Sequence, residues 1–511
     1  MSKNLSKQLR FVKLAVRSKG GAVAAQNQTA ADIGAHVLAT GGNAVDAAIA
    51  TAFALAVLEP WTSGLGSVGC MTIWDSRQRR GYVIDFQGMT PRRIINAVLG
   101  EPNARPSKEA APSDDHRDAY RTIAVPGQPA GLWAAHMFGS KPWTALIGPA
   151  IELSEFGLEL DSFTFLIVVL AATSFAQFPA TREWFTPPDL PSSLDRIESE
   201  FRWRNPALTA TLKALAERGG RDYYDGMLAR ALLNDLGLGG SAIDKFDLSG
   251  YRTRLLDPTV VAHSGRRLLI PPEDALGKVF IEALSGLEGL DHALDVSAYL
   301  TYAEAISAAH KASVAAYCDN GVREWSSHAS VIDIDGNMVS ISQSLGPIFG
   351  SRVVLPETGV LMNSCGSTLM RKEAGRYSIA PGTRTTNFLL PVLGLTGERP
   401  WLAIGVSGDR YIIPTILQLV SLQSDLGFSL EYAFRQPRLG VDKAGKVFID
   451  PNASSDIKKA IREKVAVIDR HRSTFPFSQP CAIAVAVDQV SGEQVAMTEM
   501  TEPCAGASAA V

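Results

Sequence analysis

Residues 323–344 read "REWSSHASVIDIDGNMVSISQS". Two alternating runs, SVIDI and MVSIS, flank Asp335-Gly336-Asn337. β-branched residues at every second place predict two strands, and the Asp-Gly pair supplies the positive φ that a tight hairpin turn requires. The reading puts Ser326, Ser327 and His328 just before the first strand, at one end of a sheet. Two interpretations are open. One is a polar loop ahead of a strand. The other is a serine that becomes a nucleophile only when the peptide bond before it is cut. Its freed α-amine, of reference pKa about 7.7 to 8.0, then acts as general base, and no catalytic histidine is required.

Upstream, residues 29–60 read as two helices: Thr29 is the expected cap of the first, Gly41-Gly42 its stop, Asn43 the cap of the second, and Pro60 lies beyond its end. The second is apolar on nearly every face, so it should be wrapped by protein. Residues 205–236 give two more amphipathic helices about Gly219-Gly220. Polar, proline-bearing stretches from Glu101 to Asp118 and from Pro179 to Ser193 read as surface loops. The last third turns to short β-type runs, among them RVVL, WLAIGV, KVFID and CAIAVAVD.

The chain of 511 residues can bury a large core, and 46% hydrophobic with 20% charged residues is a globular composition. A net charge of −3 without a Lys/Arg stripe argues against a nucleic-acid partner. The apolar segments 44–60 and 163–176 fall short of the ~20 residues that span a bilayer, so both are expected to be buried core helices and no membrane partner is expected. The basic N-terminus lacks the apolar run and cleavage site of a secretory signal. Cys70, Cys318, Cys365, Cys481 and Cys504 form no CxxC pair, which suits a reducing, cytoplasmic setting without disulfides or structural zinc.

Competing motifs are weak. Gly64 to Gly69 fits GxGxxG, but it follows a helix and precedes a strand, the reverse of a dinucleotide site. Gly405 to Asp409, "GVSGD", has the outline of a nucleophile elbow around Ser407, with Asp where the sharp turn needs Gly. The histidines show no paired ligand spacing; His36, His136 and His310 lie in helical runs, and no metal is implied.

Several blocks, in order, resemble the γ-glutamyltransferase (γ-glutamyltranspeptidase) family: residues 41–75, "IDFQGMTP", "AVPGQPAGLWAAH", residues 201–226, "LSGYRTRLLDP", and residues 326–364. The resemblance implies an N-terminal-nucleophile hydrolase with a four-layer αββα sandwich, made as one precursor that cuts itself into two subunits that stay associated. The large subunit would be residues 1–325 and the small one 326–511, together one compact unit. No cofactor is implied.

Carried over residue by residue, the family's nucleophilic threonine falls on Ser326, with self-cleavage after Trp325. Ser327 and His328 match the family's following Thr-His and read as positioning residues. Ser344 matches a threonine that hydrogen-bonds the nucleophile. The Gly-Gly pair of the family's oxyanion hole becomes Gly408 and Asp409, whose carboxylate opposes a developing negative charge. The arginine that grips the γ-glutamyl carboxylate becomes Gln87, a neutral substitute. Residues that hold the α-amino acid end become Gly346 and Thr368, and a Ser-Ser pair becomes Asn387-Phe388. Arg384 is either structural or faces a small acidic ligand. "SCGSTL" and "PGTRTTNFLLPVL" look closer to the branch that includes oxamate amidohydrolase. The expectation is an amidohydrolase or acyltransferase acting on a small amide other than glutathione. The alternatives are a true γ-glutamyltransferase and an inactive homologue kept as a scaffold.

Overall fold

The hairpin of residues 325–346 runs through the middle of a seven-stranded sheet. The computed structural model describes residues 12–93, 116–188, 190, 201–272, 275–290, 293–316, 324–366, 381–385, 389–442, 444–468 and 480–511. In spatial order the first sheet is Gly506–Ala509, Gly21–Ala25, Trp325–Asp333, Met338–Gly346, Val68–Asp75, Arg80–Phe86 and Arg254–Leu256. The second is Val16–Ser18, Gln494–Thr498, Cys481–Val487, Arg399–Ser407, Val392–Thr396, Arg266–Ile270 and Thr259–His263. Every pairing in both is antiparallel.

Alternation along the strands sends side chains to two different cores. Ala22, Ala24, Trp74, Ile332 and Met338 meet Leu393, Leu395, Ala403, Ile483 and Val485 between the sheets. The opposite face of the first sheet packs on helices that include Gln28–Ala39 and Ala44–Leu58. The outer face of the second packs on Ala275–Ser285, Val296–Ala316 and Ile412–Ser424. Helices, sheet, sheet, helices: this is the four-layer αββα sandwich.

The helix Ala44–Leu58 is buried from Ala44 to Val57, as its apolar sequence requires. Its start is fixed twice. Asn43 and Asp46 form a capping box, and the Asp46 carboxylate also accepts from the backbone N–H of Ser140 and Lys141. The Asp333 carboxylate, at the hairpin turn, accepts from Ala44 N–H at 2.9 Å. The helix is thereby registered against the hairpin, and the segment after it, Glu59 to Ser67, arrives beside the hairpin's open end.

Several expectations change. The cap of the first helix is Asn27, whose side chain accepts from Thr29 N–H, because a cap bonds the residue two or three places on. Ser326, Ser327 and His328 lie within the strand and not ahead of it, since pairing with Met338–Gly346 extends back to Trp325. Pro179 opens a helix, Pro179–Phe185, proline being well suited to a helix's first turn. The Glu101–Asp118 loop lies largely outside the described residues, and its described end enters the helix His116–Arg121. The apolar helix Ser162–Ala171 is a surface helix: it buries Thr164, Ile167 and Val168 and leaves Val169 and Leu170 exposed, since only one side meets the core. RVVL makes only a bridge, Val354 to Leu361. Among the described residues no helix is long and apolar enough to cross a membrane.

Candidate active site

Pairing in the hairpin passes from Ser327–Gln343 to Trp325–Gly346, so the single residue Ser326 faces two, Ser344 and Leu345. Such a bulge re-aims side chains. Leu345 turns its backbone aside, donating to Thr62 C=O and accepting from Ser364 N–H. Ser344 turns its hydroxyl onto the strand: Oγ donates to the Trp325 carbonyl at 2.6 Å and accepts from Gly346 N–H at 2.8 Å. Gly346 itself has φ +90°, which a side chain there would strain.

Three side-chain hydroxyls therefore surround the Trp325–Ser326 peptide bond. Ser344 holds its oxygen. Its nitrogen, Ser326 N–H, donates to Ser407 Oγ at 3.2 Å, across the gap between the sheets. The third group, Ser326 Oγ, is buried and has no hydrogen-bond partner among the described residues. A buried hydroxyl without a partner is unfavourable by roughly 1–3 kcal/mol, a cost that calls for an explanation.

Ser407 leads directly into Gly408 and Asp409, with φ of +126° and +50°, and then into the helix Ile412–Ser424. Gly408 lies against the Trp325 ring; a Cβ there would be 3.5 Å from Cζ3. The Asp409 side chain lines a small cavity beside Ile306, His310 and Val441, on the helix side of the turn, with its carboxylate 3.6 Å from the Arg410 guanidinium. An L-residue held at this φ carries backbone strain that glycine does not.

His328 is fully buried between the sheets. Its ring nitrogens lie 2.8 Å from Ser342 Oγ and 3.0 Å from Ser330 Oγ, and Gly405 passes so close that a Cβ would clash at 2.2 Å. Burial lowers its pKa to about 3, so the imidazole is neutral and acts as a spacer between sheets.

On the other flank, Val68 pairs with Ser344, Asp85 and Phe86 end the neighbouring strand, and Gln87 follows just past it. The Gln87 side-chain oxygen is buried without a partner among the described residues. Its carbonyl accepts from Tyr251 OH at 2.8 Å and from Arg384 at 3.0 Å. Arg384 also donates to the Arg252 carbonyl, lies 3.7 Å from the Asp85 carboxylate and covers the Tyr251 ring. Asp85 is further bonded by Arg254 at 2.7 Å. The structure thus brings Trp325, Ser326, Ser344, Gly346, Gly408 and Asp409 to one end of the sandwich, with Gln87 and Arg384 beside them. Thr368, Asn387 and Phe388 lie outside the described residues.

Some residues here were not singled out for the parts they take. Ser407 stood out only as an elbow nucleophile, whereas it accepts from the Ser326 N–H. Thr62 and Ser63, which hold the Ser327 hydroxyl, sit just before the Gly64–Gly69 run, and only that run carried a signal.

The gamma-glutamyltranspeptidase family model matches residues 30–322 and 307–503. The acylase ACY 1 proenzyme of Pseudomonas sp. (strain SE83) is 28% identical over 497 residues, covering 87% of this chain and 85% of that protein. The glutathione hydrolase proenzyme of Bacillus subtilis (strain 168) is 25% identical over 503 residues, covering 86% and 84%. The crystal structure of cephalosporin acylase from Bacillus halodurans superposes with a TM-score of 0.83 at 24% identity, covering 100% of this chain and 99% of that one. This last likeness concerns the fold alone.

Proposed function

This chain belongs to the gamma-glutamyltranspeptidase family, and from that premise we propose that it cleaves itself between Trp325 and Ser326 and then works as an N-terminal-serine amidohydrolase on a small amide other than glutathione. The observation that carries the reading is the peptide bond itself: Ser344 donates to its oxygen at 2.6 Å beside a Ser326 hydroxyl that has no partner among the described residues.

In the intact chain Ser326 Oγ attacks the Trp325 carbonyl carbon. A C–O bond forms, the C–N bond breaks, and the hydroxyl proton passes to the nitrogen that Ser407 holds. The Ser344 hydroxyl stabilises the oxyanion of this step. Water then hydrolyses the ester, leaving a Trp325 carboxylate and a Ser326 α-amine. The pieces, residues 1–325 and 326–511, remain one heterodimer because strand Trp325–Asp333 pairs with Gly21–Ala25 across the cut, and the second sheet also draws strands from both.

In the processed enzyme the neutral α-amine takes the Ser326 Oγ proton as that oxygen attacks a substrate carbonyl. Backbone N–H groups of Gly408 and Asp409 meet the oxyanion, and Ser344, relieved of Trp325, donates to Ser326. The amine returns its proton to the leaving nitrogen, and water or a second amine releases the acyl group.

The substrate reading rests on the Gln87 flank. Gln87 brings no charge, and Arg384 is engaged by Gln87 and Arg252 carbonyls and by Asp85. An acyl donor with a free α-carboxylate would be left unpaired there, a cost that favours neutral acyl groups. Five cysteines without a CxxC pair suit work in the cytoplasm. A panel of small neutral amides and γ-glutamyl anilides tests this: turnover is expected on the former and lost in Ser326→Ala, whereas rapid γ-glutamyl transfer would overturn the substrate reading.

A further inference from the structure

Beneath the first residues of strand Trp325–Asp333 runs a buried row of hydroxyls that this mechanism does not use. Ser327 Oγ donates to Ser63 Oγ at 2.9 Å and lies 2.8 Å from Thr62 Oγ1. Thr62 Oγ1 is also 3.2 Å from the Glu59 carbonyl oxygen and 3.4 Å from Glu59 Oε2. Gln343, opposite Ser327 in the hairpin, donates to Ser63 Oγ and to the carbonyl of Ala52 in helix Ala44–Leu58. Glu59, the carboxyl at that helix's end, is only 2% exposed. One hydroxyl, that of Thr62, thus separates a buried carboxyl from the residue next to Ser326.

Thr62 has one proton and three acceptors within reach. A neutral Glu59 is a weak acceptor, and the proton goes to the nearest oxygen, Ser327 Oγ. An ionised Glu59 accepts charge-assisted hydrogen bonds, about twice as strong as neutral ones, and claims it. Ser327 then loses its donor. The groups that surround the carboxyl decide which state prevails. Glu502 acts on it electrostatically, Cys481 and Cys504 feel its charge in turn, and Asp161 acts on Cys504. Lys13 donates to Thr498 Oγ1 and to the Glu502 and Ala505 carbonyls, and Arg438 pairs with Glu499 at 2.6 Å. Burial first, and the charge of Glu502 second, push Glu59 well above the usual carboxylate range.

We propose that Glu59, in its neutral form, is a positioning residue for the nucleophile: it leaves the Thr62 proton to Ser327 and so holds the backbone that presents the Ser326 hydroxyl and α-amine. Ionisation of Glu59 withdraws that proton and slackens the site. The proposal rests on Ser326 being the nucleophile. It predicts that activity rises as the α-amine loses its proton and is lost where Glu59 ionises, above the usual carboxylate range.

The test monitors acylation by p-nitrophenyl acetate, read as the nitrophenolate burst, across pH in processed wild type, Glu59→Gln and Thr62→Val, with Ser326→Ala as blank. Glu59→Gln cannot ionise; it should keep the rising limb within about threefold of wild type and lose the falling one. Thr62→Val, which removes the relay, should be about tenfold slower on the rising limb and also lack the falling limb, a loss matching one buried hydrogen bond. If Glu59→Gln fails to fold, Thr62→Val decides by the same falling limb. A falling limb unchanged in either folded variant, or none in wild type, overturns the proposal. A burst that persists in Ser326→Ala instead overturns the nucleophile assignment beneath it.

Discussion

Removing the Ser344 hydroxyl is the sharpest perturbation available, because one atom serves two partners of different kinds. Ser344 Oγ donates to the Trp325 carbonyl at 2.6 Å and accepts from Gly346 N–H at 2.8 Å. In Ser344→Ala the first loss strips a preorganised donor from the oxyanion of self-cleavage, an effect of about 2.7–4 kcal/mol, or roughly 10²–10³ in rate. The second leaves a buried N–H without its acceptor, lowering fold stability by about 1–3 kcal/mol. The two effects separate experimentally. Precursor made by cell-free translation is sampled over time on a denaturing gel for the rate of fragment appearance, and thermal unfolding gives the stability change. Ser344→Thr, which keeps the hydroxyl, should restore the rate to within about tenfold. Processing of folded Ser344→Ala at the wild-type rate would refute the reasoning.

Asp409→Gly should relieve the strain of a side-chain-bearing residue at φ +50°, stabilising the chain by about 1 kcal/mol, which calorimetry checks. Gln87→Arg should lower KM for carboxylate-bearing acyl donors about tenfold relative to neutral ones, measured by competition between the two. Folded His328, with its pKa near 3, binds fewer protons than the unfolded chain does below the reference value of about 6.5, so its contribution to stability is present above that value and lost as pH falls from there toward 3. Wild type should therefore lose stability relative to His328→Gln by about 1.4 kcal/mol per pH unit within that window, by denaturant unfolding.

The hairpin was legible because its signals are local: alternation on both sides of Asp335-Gly336, with Gly336 at φ +82° in the turn. The buried helix Ala44–Leu58 was legible from composition and its Asn43 cap. The extent of strand Trp325–Asp333 was not, since serine and histidine carry weak strand preference and the pairing that keeps them in the sheet comes from residues 338–346. Likewise Pro179 suits both a loop and the first turn of a helix, and burial of Thr181, Trp184 and Phe185 decides for the helix. At the site, Ser326 and Ser344 could be singled out through family blocks, but Ser407, 81 residues along the chain, meets the Ser326 nitrogen only through the packing of one sheet on the other. The state of Arg384 was equally hidden: its partners Arg252, Asp85 and Gln87 come from elsewhere in the sequence, and no local pattern announces them.

A liberated serine terminus is the centre of this mechanism, and intact-mass analysis of the denatured, purified protein addresses it directly. Two polypeptides are expected, the smaller beginning at Ser326 and ending at Val511, and a single uncut chain in Ser326→Ala. An unbroken wild-type chain that hydrolyses amides at full rate would contradict it.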